Sequence, residues 1–135
     1  MELQAAQYIS LATFRRSGVP VATPVWAAYC DGVYYVFSAG NAGKVKRLRL
    51  SPRSRVAVCN VRGVLQGPWH EARAEIITES AQIETALAAL RRKYGLAMWL
   101  ADLLARLSGR MARRAYLAVR VDEADSDPSK QAETP

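Results

Sequence analysis

The sequence is poor in the residues that build metal centres and disulfide frameworks. It has two cysteines, Cys30 and Cys59, in apolar strand-like contexts without a CxxC spacing, and one histidine, His70. These side chains are too few to assemble a zinc or iron–sulfur site within one chain. We therefore predict no metal site, and we interpret the cysteines as reduced core thiols.

Long apolar runs are also missing. The longest apolar segment, Leu96–Leu107, is interrupted by Asp102 and Arg106 and is shorter than the roughly 20 residues of a membrane span. The N-terminal MELQAAQYIS has neither the basic region nor the apolar stretch of a secretory signal. We expect no membrane span, a cytoplasmic location, and a packed or surface helix over the apolar segment.

Acidic residues are scarce in the body of the chain. The sequence has 12 Asp and Glu against 19 Lys and Arg, a net charge of +7, and five acids are concentrated near the end: Asp122, Glu123, Asp125, Asp127 and Glu133. The basic body should attract an anion, which could be a nucleic acid, an acidic membrane surface or a phosphorylated small molecule. Because RNP1 and zinc-knuckle patterns are absent, we expect no sequence-specific nucleic-acid binding.

What the chain does have is enough apolar material for one domain. Its 135 residues are 50% hydrophobic, which suits a single core without covalent staples. We predict one domain over residues 1–121, followed by an acidic, disordered tail over 122–135.

Alternating apolar residues predict six strands. Tyr8–Phe14 forms the first, a break at Ser17-Gly18 follows, and residues 19–29 form a second strand that bends near Pro24. Asp31-Gly32 favours a type I′ hairpin turn. The remaining strands are expected over 33–37, 55–61, 69–78 and 115–121.

Three segments have helical spacing instead. A short basic helix should begin after Asn41 as N-cap and end at Ser51-Pro52. Two further apolar periods predict a C-terminal helical pair separated by Gly95, with Ile83, Leu87, Leu90 and Tyr94 on the first helix and Leu96, Leu100, Leu103, Leu107 and Met111 on the second. The resulting fold class is mainly β, a small antiparallel barrel with added helices.

Two motifs suggest chemistry. Gly40-Asn-Ala-Gly-Lys44, followed by Lys46 and Arg47, places cations at a helix N-terminus, where phosphate is a natural ligand. The motif lacks the Walker spacing, so a solvated surface helix is the alternative. Pro24-Val-Trp26 puts an indole on a bent strand, where it could stack on a planar ring or pack in the core.

Catalytic motifs are not evident. His70 beside Glu71 could act as a general base, but no nucleophile pattern such as GxSxG accompanies it. We therefore predict no catalytic residue.

Several motifs together resemble one family. They are Leu11-Ala-Thr-Phe-Arg-Arg-Ser-Gly18, Thr23-Pro-Val-Trp-Ala27, Gly43-Lys-Val-Lys-Arg-Leu-Arg49, Ser51-Pro52 with Arg55-Val56, and Lys93-Tyr-Gly95. In this order they resemble the split-barrel flavin and deazaflavin oxidoreductases related to pyridoxamine 5′-phosphate oxidase, in particular the short subgroup described as F420-dependent. The resemblance covers residues 5–121. It implies a six-stranded split barrel that forms a homodimer, with cofactor sites at the dimer interface.

The resemblance also implies a set of site residues. Those expected to hold the cofactor phosphate are Lys44, Lys46 and Arg47; those expected to line the ring are Thr23, Pro24, Val25 and Trp26; those expected near the same pocket are Ser38, Cys59 and Asn60. Many members carry Ser or Thr at the position of Ala42, so one hydroxyl contact to phosphate is missing here.

The activity implied is that of an oxidoreductase that binds coenzyme F420 and transfers hydride to or from a small organic substrate. Because such a cofactor carries the hydride itself, the protein needs to supply mainly orientation and anchoring. FMN in the same site, and a non-catalytic flavin or deazaflavin carrier, are the alternatives. A homodimer is also expected because an apolar strand face around Trp26 would otherwise be exposed to water.

Overall fold

The computed structural model describes residues 2–122, so the predicted tail, apart from Asp122, lies outside the described residues. Seven strands, three helices and two single 3₁₀ turns make up this part of the chain. In chain order they are a turn at Leu3–Ala5, β1 Tyr8–Phe14, β2 Pro20–Val25, β3 Ala27–Cys30, β4 Val33–Ala39, α1 Gly43–Leu50, β5 Arg53–Cys59, β6 His70–Ile77, α2 Ser80–Tyr94, α3 Leu96–Leu107, a turn at Met111–Arg113, and β7 Arg114–Val121.

The strands form one antiparallel sheet in the order β2-β1-β5-β6-β7-β4-β3. Ile9 and Leu117, from inner strands, share one buried core with Val25 and Ala27, which come from the two edge strands. Side chains from opposite edges meet in one core only if the sheet curls. The structure is therefore mainly β, a curled sheet consistent with a split barrel.

The predicted count of six strands is wrong, because the predicted strand over 19–29 is two strands. Val25 in β2 pairs with Ile9 of β1, whereas Ala27 in β3 pairs with Val36 of β4. Trp26 lies between them, where the chain crosses from one edge of the sheet to the other. The bend predicted at Pro24 thus falls two residues later, as a break between β2 and β3.

The predicted turns and helix ends agree in part with the structure. Asp31 and Gly32 both have positive φ, 48° and 86°, as a type I′ turn requires. The N-cap of α1 is Ala42, without a side-chain cap bond, so the prediction of Asn41 is wrong. The last helix ends at Leu107 and does not reach Met111, because Gly109 with φ 75° interrupts it.

The C-terminal turn of α2 forms hydrogen bonds that hold the chain in place at the break between β2 and β3. Tyr94 Oη accepts a hydrogen bond of 2.9 Å from the Ala27 amide and lies 2.9 Å from the Gln7 carbonyl oxygen, to which it donates. Lys93 Nζ donates to the carbonyls of Ala6 at 2.7 Å and Ala27 at 2.6 Å. Burial lowers the pKa of Lys93 and raises that of Tyr94 to about 12.

A buried carboxylate anchors α3. Asp102 is 6% exposed; its Oδ2 accepts a bond of 3.0 Å from Arg91 Nε of α2, and its Oδ1 one of 2.8 Å from Arg114 Nη1 of β7. The Arg114 guanidinium also lies 4.4 Å from the centre of the Phe37 ring. One side chain thus ties α3 to α2 and to the sheet.

Candidate functional site

Two cations of α1, Lys44 and Arg47, are held half-buried by the packing of the helix. Val45 and Leu48 of α1 are buried and fix its orientation. Lys44 Nζ donates to Ser38 Oγ at 3.3 Å, and Arg47 Nε donates to Thr13 Oγ1 at 2.6 Å. Neither cation forms an ion pair with a carboxylate of residues 2–122.

The electrostatics of these two groups favour an anion. Burial lowers the pKa of Lys44, and the neighbouring charge of Arg47 lowers it further. Burial likewise lowers the pKa of Arg47, with a contribution from Arg15. A β-carbon on Gly43 would lie 2.8 Å from Arg47 Nη1, so the glycine lets the guanidinium lie against the first turn of α1. A phosphate here would relieve the mutual repulsion of the cations.

Hydroxyl groups with unused hydrogen-bonding capacity lie on the same face of the sheet as Thr13. Ser54 pairs directly with Thr13 across β1 and β5, and Thr23 pairs with Leu11, two residues before Thr13 in β1. The Ser54 Oγ and Thr23 Oγ1 atoms are buried without a partner. Buried hydroxyls are normally satisfied, so these two atoms are unsatisfied polar groups on the face of the sheet that carries Thr13.

Thr13 and Ser54 were missed by the sequence analysis. Both are polar residues at inward positions of otherwise apolar strands, beside Leu11 and Val56. Such residues interrupt the apolar side of a strand pattern, and that interruption is the signal that could have found them.

The structure distributes the predicted ring-lining residues over both faces of the sheet. Thr23 faces inward and Val25 lies in the core, whereas Pro24 is exposed. The Trp26 ring stacks on Tyr94 with centroids 4.6 Å apart and meets the edge of Phe37 at 6.0 Å. One face of the indole is therefore covered by α2, and the apolar surface expected around Trp26 is largely used within the monomer.

The end of β5 and the loop after it meet β2 at Pro24. Asn60 Oδ1 accepts bonds of 3.0 Å from the amides of Arg62 and Val64 and so shapes the loop. A β-carbon on Gly63 would lie 3.7 Å from Pro24 Cδ. Exposed apolar side chains cluster along this loop: Val61, Val64, Leu65 and Trp69. Pro24 thus lies beside the loop that Asn60 shapes, while Lys46 is exposed on α1.

The two cysteines should differ in reactivity. Cys59 is 3% exposed, whereas Cys30 is half-buried. Burial raises the pKa of the Cys59 thiol, and the thiolate is the form that reacts. Brief treatment of the native protein with iodoacetamide should alkylate Cys30 first, as located by peptide mass spectrometry. Equal labelling of the two in the native protein, matching that in urea, would contradict the burial of Cys59.

Neither a metal cluster nor a membrane-spanning helix is found in residues 2–122. No group of three His, Cys, Asp or Glu side chains there is placed to bind a metal ion. None of the helices in this part of the chain is both long and apolar enough to cross a bilayer. His70 is half-buried at the start of β6.

The curled antiparallel sheet is that of a split-barrel protein, and Lys44 and Arg47, which pair with no carboxylate of residues 2–122, form a candidate phosphate site on the helix after β4. Residues 2–126 match the family model described as pyridoxamine 5′-phosphate oxidase. The chain belongs to this family, which confirms the family resemblance, though not the F420-dependent subgroup. No curated protein sequence matches the chain.

Solved structures share the fold at low sequence identity. A conserved hypothetical protein of Mycobacterium tuberculosis has a TM-score of 0.63 and 21% identity over 88% of this chain and 78% of its own. The heme storage protein HutZ of Vibrio cholerae has a TM-score of 0.66 and 14% identity, over 87% of this chain and 82% of its own. A FAD-binding protein of Mesorhizobium loti has a TM-score of 0.55 and 21% identity, over 90% of this chain and 83% of its own. At these identities the likeness shows the fold.

Proposed function

We propose that the protein is an oxidoreductase that binds coenzyme F420 through its phosphate, with FMN as the alternative cofactor of the same site. The observation that carries the proposal is the pair Lys44 and Arg47, half-buried, mutually repelling, and without a carboxylate partner in residues 2–122. The unpartnered hydroxyls of Ser54 and Thr23 support the proposal. They lie on the same inward face of the sheet as Thr13, which accepts the hydrogen bond of Arg47.

In this proposal the residues of the chain bind and orient the cofactor. Lys44 and Arg47 hold the phosphate, and Ser38 positions the Lys44 ammonium. Pro24 and the loop after Asn60 offer an exposed apolar surface for the flat ring. The bound cofactor supplies the hydride chemistry, which is consistent with the prediction of no catalytic side chain. The substrate is a small organic molecule.

We further propose that the active form is a homodimer in the cytoplasm. The exposed apolar side chains of the loop, among them Val64 and Trp69, form a surface that a second subunit would cover. Trp26 contributes less than the sequence indicated, because α2 covers one face of its ring. Both cysteines are free thiols, as is usual in a reducing compartment.

The test is to add F420, FMN and hemin separately to the purified protein and to record absorbance and binding. Hemin is included because HutZ, a heme storage protein, shares the fold. Saturable binding of F420 or FMN, followed by turnover of the reduced cofactor with an acceptor, supports the oxidoreductase. Binding without turnover supports the carrier alternative, and tight binding of hemin alone contradicts the proposal.

F420 binding should depend more steeply on salt than FMN binding. F420 carries a polyglutamate tail beyond its phosphate, and Lys46 and Arg49 are exposed on α1 to meet it. Arg55 contributes less to the positive charge available for the tail, since it pairs with Glu71 at 2.6 Å. Because exposed charge pairs are screened by salt, titration of both cofactors at low and high ionic strength checks this.

Replacing Lys46 and Arg49 together by glutamine should reduce the difference between the two salt slopes. If the affinities of the unmodified protein for F420 and FMN fell equally with salt and FMN bound more tightly, FMN would be the cofactor of the site.

A further inference from the structure

The outward face of α3 carries an apolar stripe that nothing in residues 2–122 covers. Met98 and Asp102 face the protein and are buried. The stripe consists of the exposed side chains Leu96, Trp99, Leu100, Leu103, Leu104 and Leu107. Leu96 and Leu107, at the two ends, are 78% and 77% exposed, so the stripe runs along the whole helix, about 18 Å. A helix normally turns such a stripe toward the core, and here it points away.

The segment of the chain that contains the stripe is strongly basic. Residues 86–121 contain one acid, Asp102, which is buried and paired with Arg91 and Arg114. The same residues contain eight Lys and Arg. Exposed arginines without a carboxylate partner in the described part of the chain are Arg92, Arg106, Arg110, Arg113 and Arg120. Arg91 and Arg106 line the same depression as Trp99 and Leu103 of the stripe, so positive charge lies directly beside its apolar side chains.

We propose that α3 binds the surface of an anionic lipid bilayer, with its stripe inserted between the headgroups and its neighbouring arginines on the lipid phosphates. Leucines and a tryptophan on one helix face, with arginine beside them, are typical of helices that lie in the membrane interface. In this arrangement α3 lies parallel to the plane of the bilayer, and the rest of the domain stays outside it. This association goes beyond the proposed function, and it needs no cofactor.

Charge decides between a lipid surface and a second copy of the chain. If two copies packed stripe against stripe, each would bring Arg106 and Arg110 to the rim of the interface, with no exposed acid in residues 86–121 to compensate them. Like charges facing each other across an interface oppose association. An anionic bilayer complements both the apolar stripe and its charge.

The test is sedimentation of the purified full-length protein with vesicles. We expect binding to vesicles of phosphatidylcholine mixed with phosphatidylglycerol, and much weaker binding to pure phosphatidylcholine. Leu104→Gln should weaken binding at least about tenfold, since one leucine leaves the apolar phase. Leu50→Gln, at the end of α1 and with the same exposure of 57%, is the matched control and should bind as the unmodified protein does.

Two further variants separate the charge from the apolar contribution. Replacing Arg106 and Arg110 by glutamine should weaken binding to the anionic vesicles about fivefold for each charge. Trp99 emission should shift to the blue on binding, and Trp99→Phe should abolish that shift while retaining most of the binding.

Leu104→Gln and Leu107→Gln should both unfold at the same midpoint as the unmodified protein, because the two side chains are exposed. Equal vesicle binding by Leu104→Gln and Leu50→Gln would overturn the proposal. So would a dimer that Leu104→Gln dissociates in a protein that binds no vesicles, because a second copy would then cover the stripe.

Discussion

Replacing Lys44 by alanine should weaken cofactor binding by roughly tenfold to one-hundredfold, since a hydrogen bond to a charged group contributes about 1.5–3 kcal/mol. The Lys44 ammonium is half-buried and bonded only weakly to Ser38 at 3.3 Å. Its removal also relieves the repulsion with Arg47, so the fold should not be destabilised. Calorimetric titration with F420 and FMN measures the loss, and thermal unfolding without cofactor confirms that the fold is intact.

Arg53→Ala is the control for this prediction. Arg53 is exposed, lies on β5, and stacks over the Phe14 ring at 4.0 Å. The register places it on the sheet face opposite to that of Ser54, its neighbour in β5. Affinity should therefore change little, and an equal loss in Lys44→Ala and Arg53→Ala would show that general positive charge, and not a site on α1, attracts the cofactor.

The largest effect on stability is expected from Asp102→Asn. This change removes the charge that compensates Arg114, whose side chain is 6% exposed. Breaking a buried pair from one side costs about 3–5 kcal/mol, because the remaining charge stays buried. Such a loss is a large share of the 5–15 kcal/mol typical of a domain. Urea unfolding should show a much lower midpoint, and α3 should be the first helix to exchange its amide hydrogens.

Glu71→Gln provides the comparison for the buried carboxylate. Glu71 pairs with Arg55 at 2.6 Å, but the two side chains are 42% and 36% exposed. Pairs exposed to this degree contribute about 1 kcal/mol or less. If Asp102→Asn cost no more than Glu71→Gln, the idea that Asp102 anchors α3 would be wrong.

Local signals in the sequence predicted much of the fold. The alternation in Tyr8–Phe14, the Asp31-Gly32 turn and the Gly95 stop between the last two helices all depend on neighbours in sequence, and the structure contains each of them. The break at Trp26 depends on partners far along the chain. β2 pairs with β1 and β3 with β4, and this change of partner has no local signature apart from the nearby proline.

The candidate site shows the same division. The cations Lys44 and Arg47 follow a local motif on α1, and Ser38, the partner of Lys44, was among the expected site residues, whereas the partner of Arg47 depends on the packing of that helix. Thr13 lies 34 residues from Arg47 in sequence. The stacking of Trp26 on Tyr94 joins β2 and β3 to the end of α2, so the sequence left open whether the indole meets a ligand or the core.

The two edges of the sheet have a consequence for how molecules of this protein can meet. The outer edge of β2 contains Pro20 and Pro24, which have no amide hydrogen to donate to another strand. The other edge, β3, is four residues long, too short to template extended pairing. Neither edge favours pairing with a strand of a neighbouring chain, so strand-by-strand aggregation is disfavoured, and subunits should associate through side chains such as those of the loop after β5.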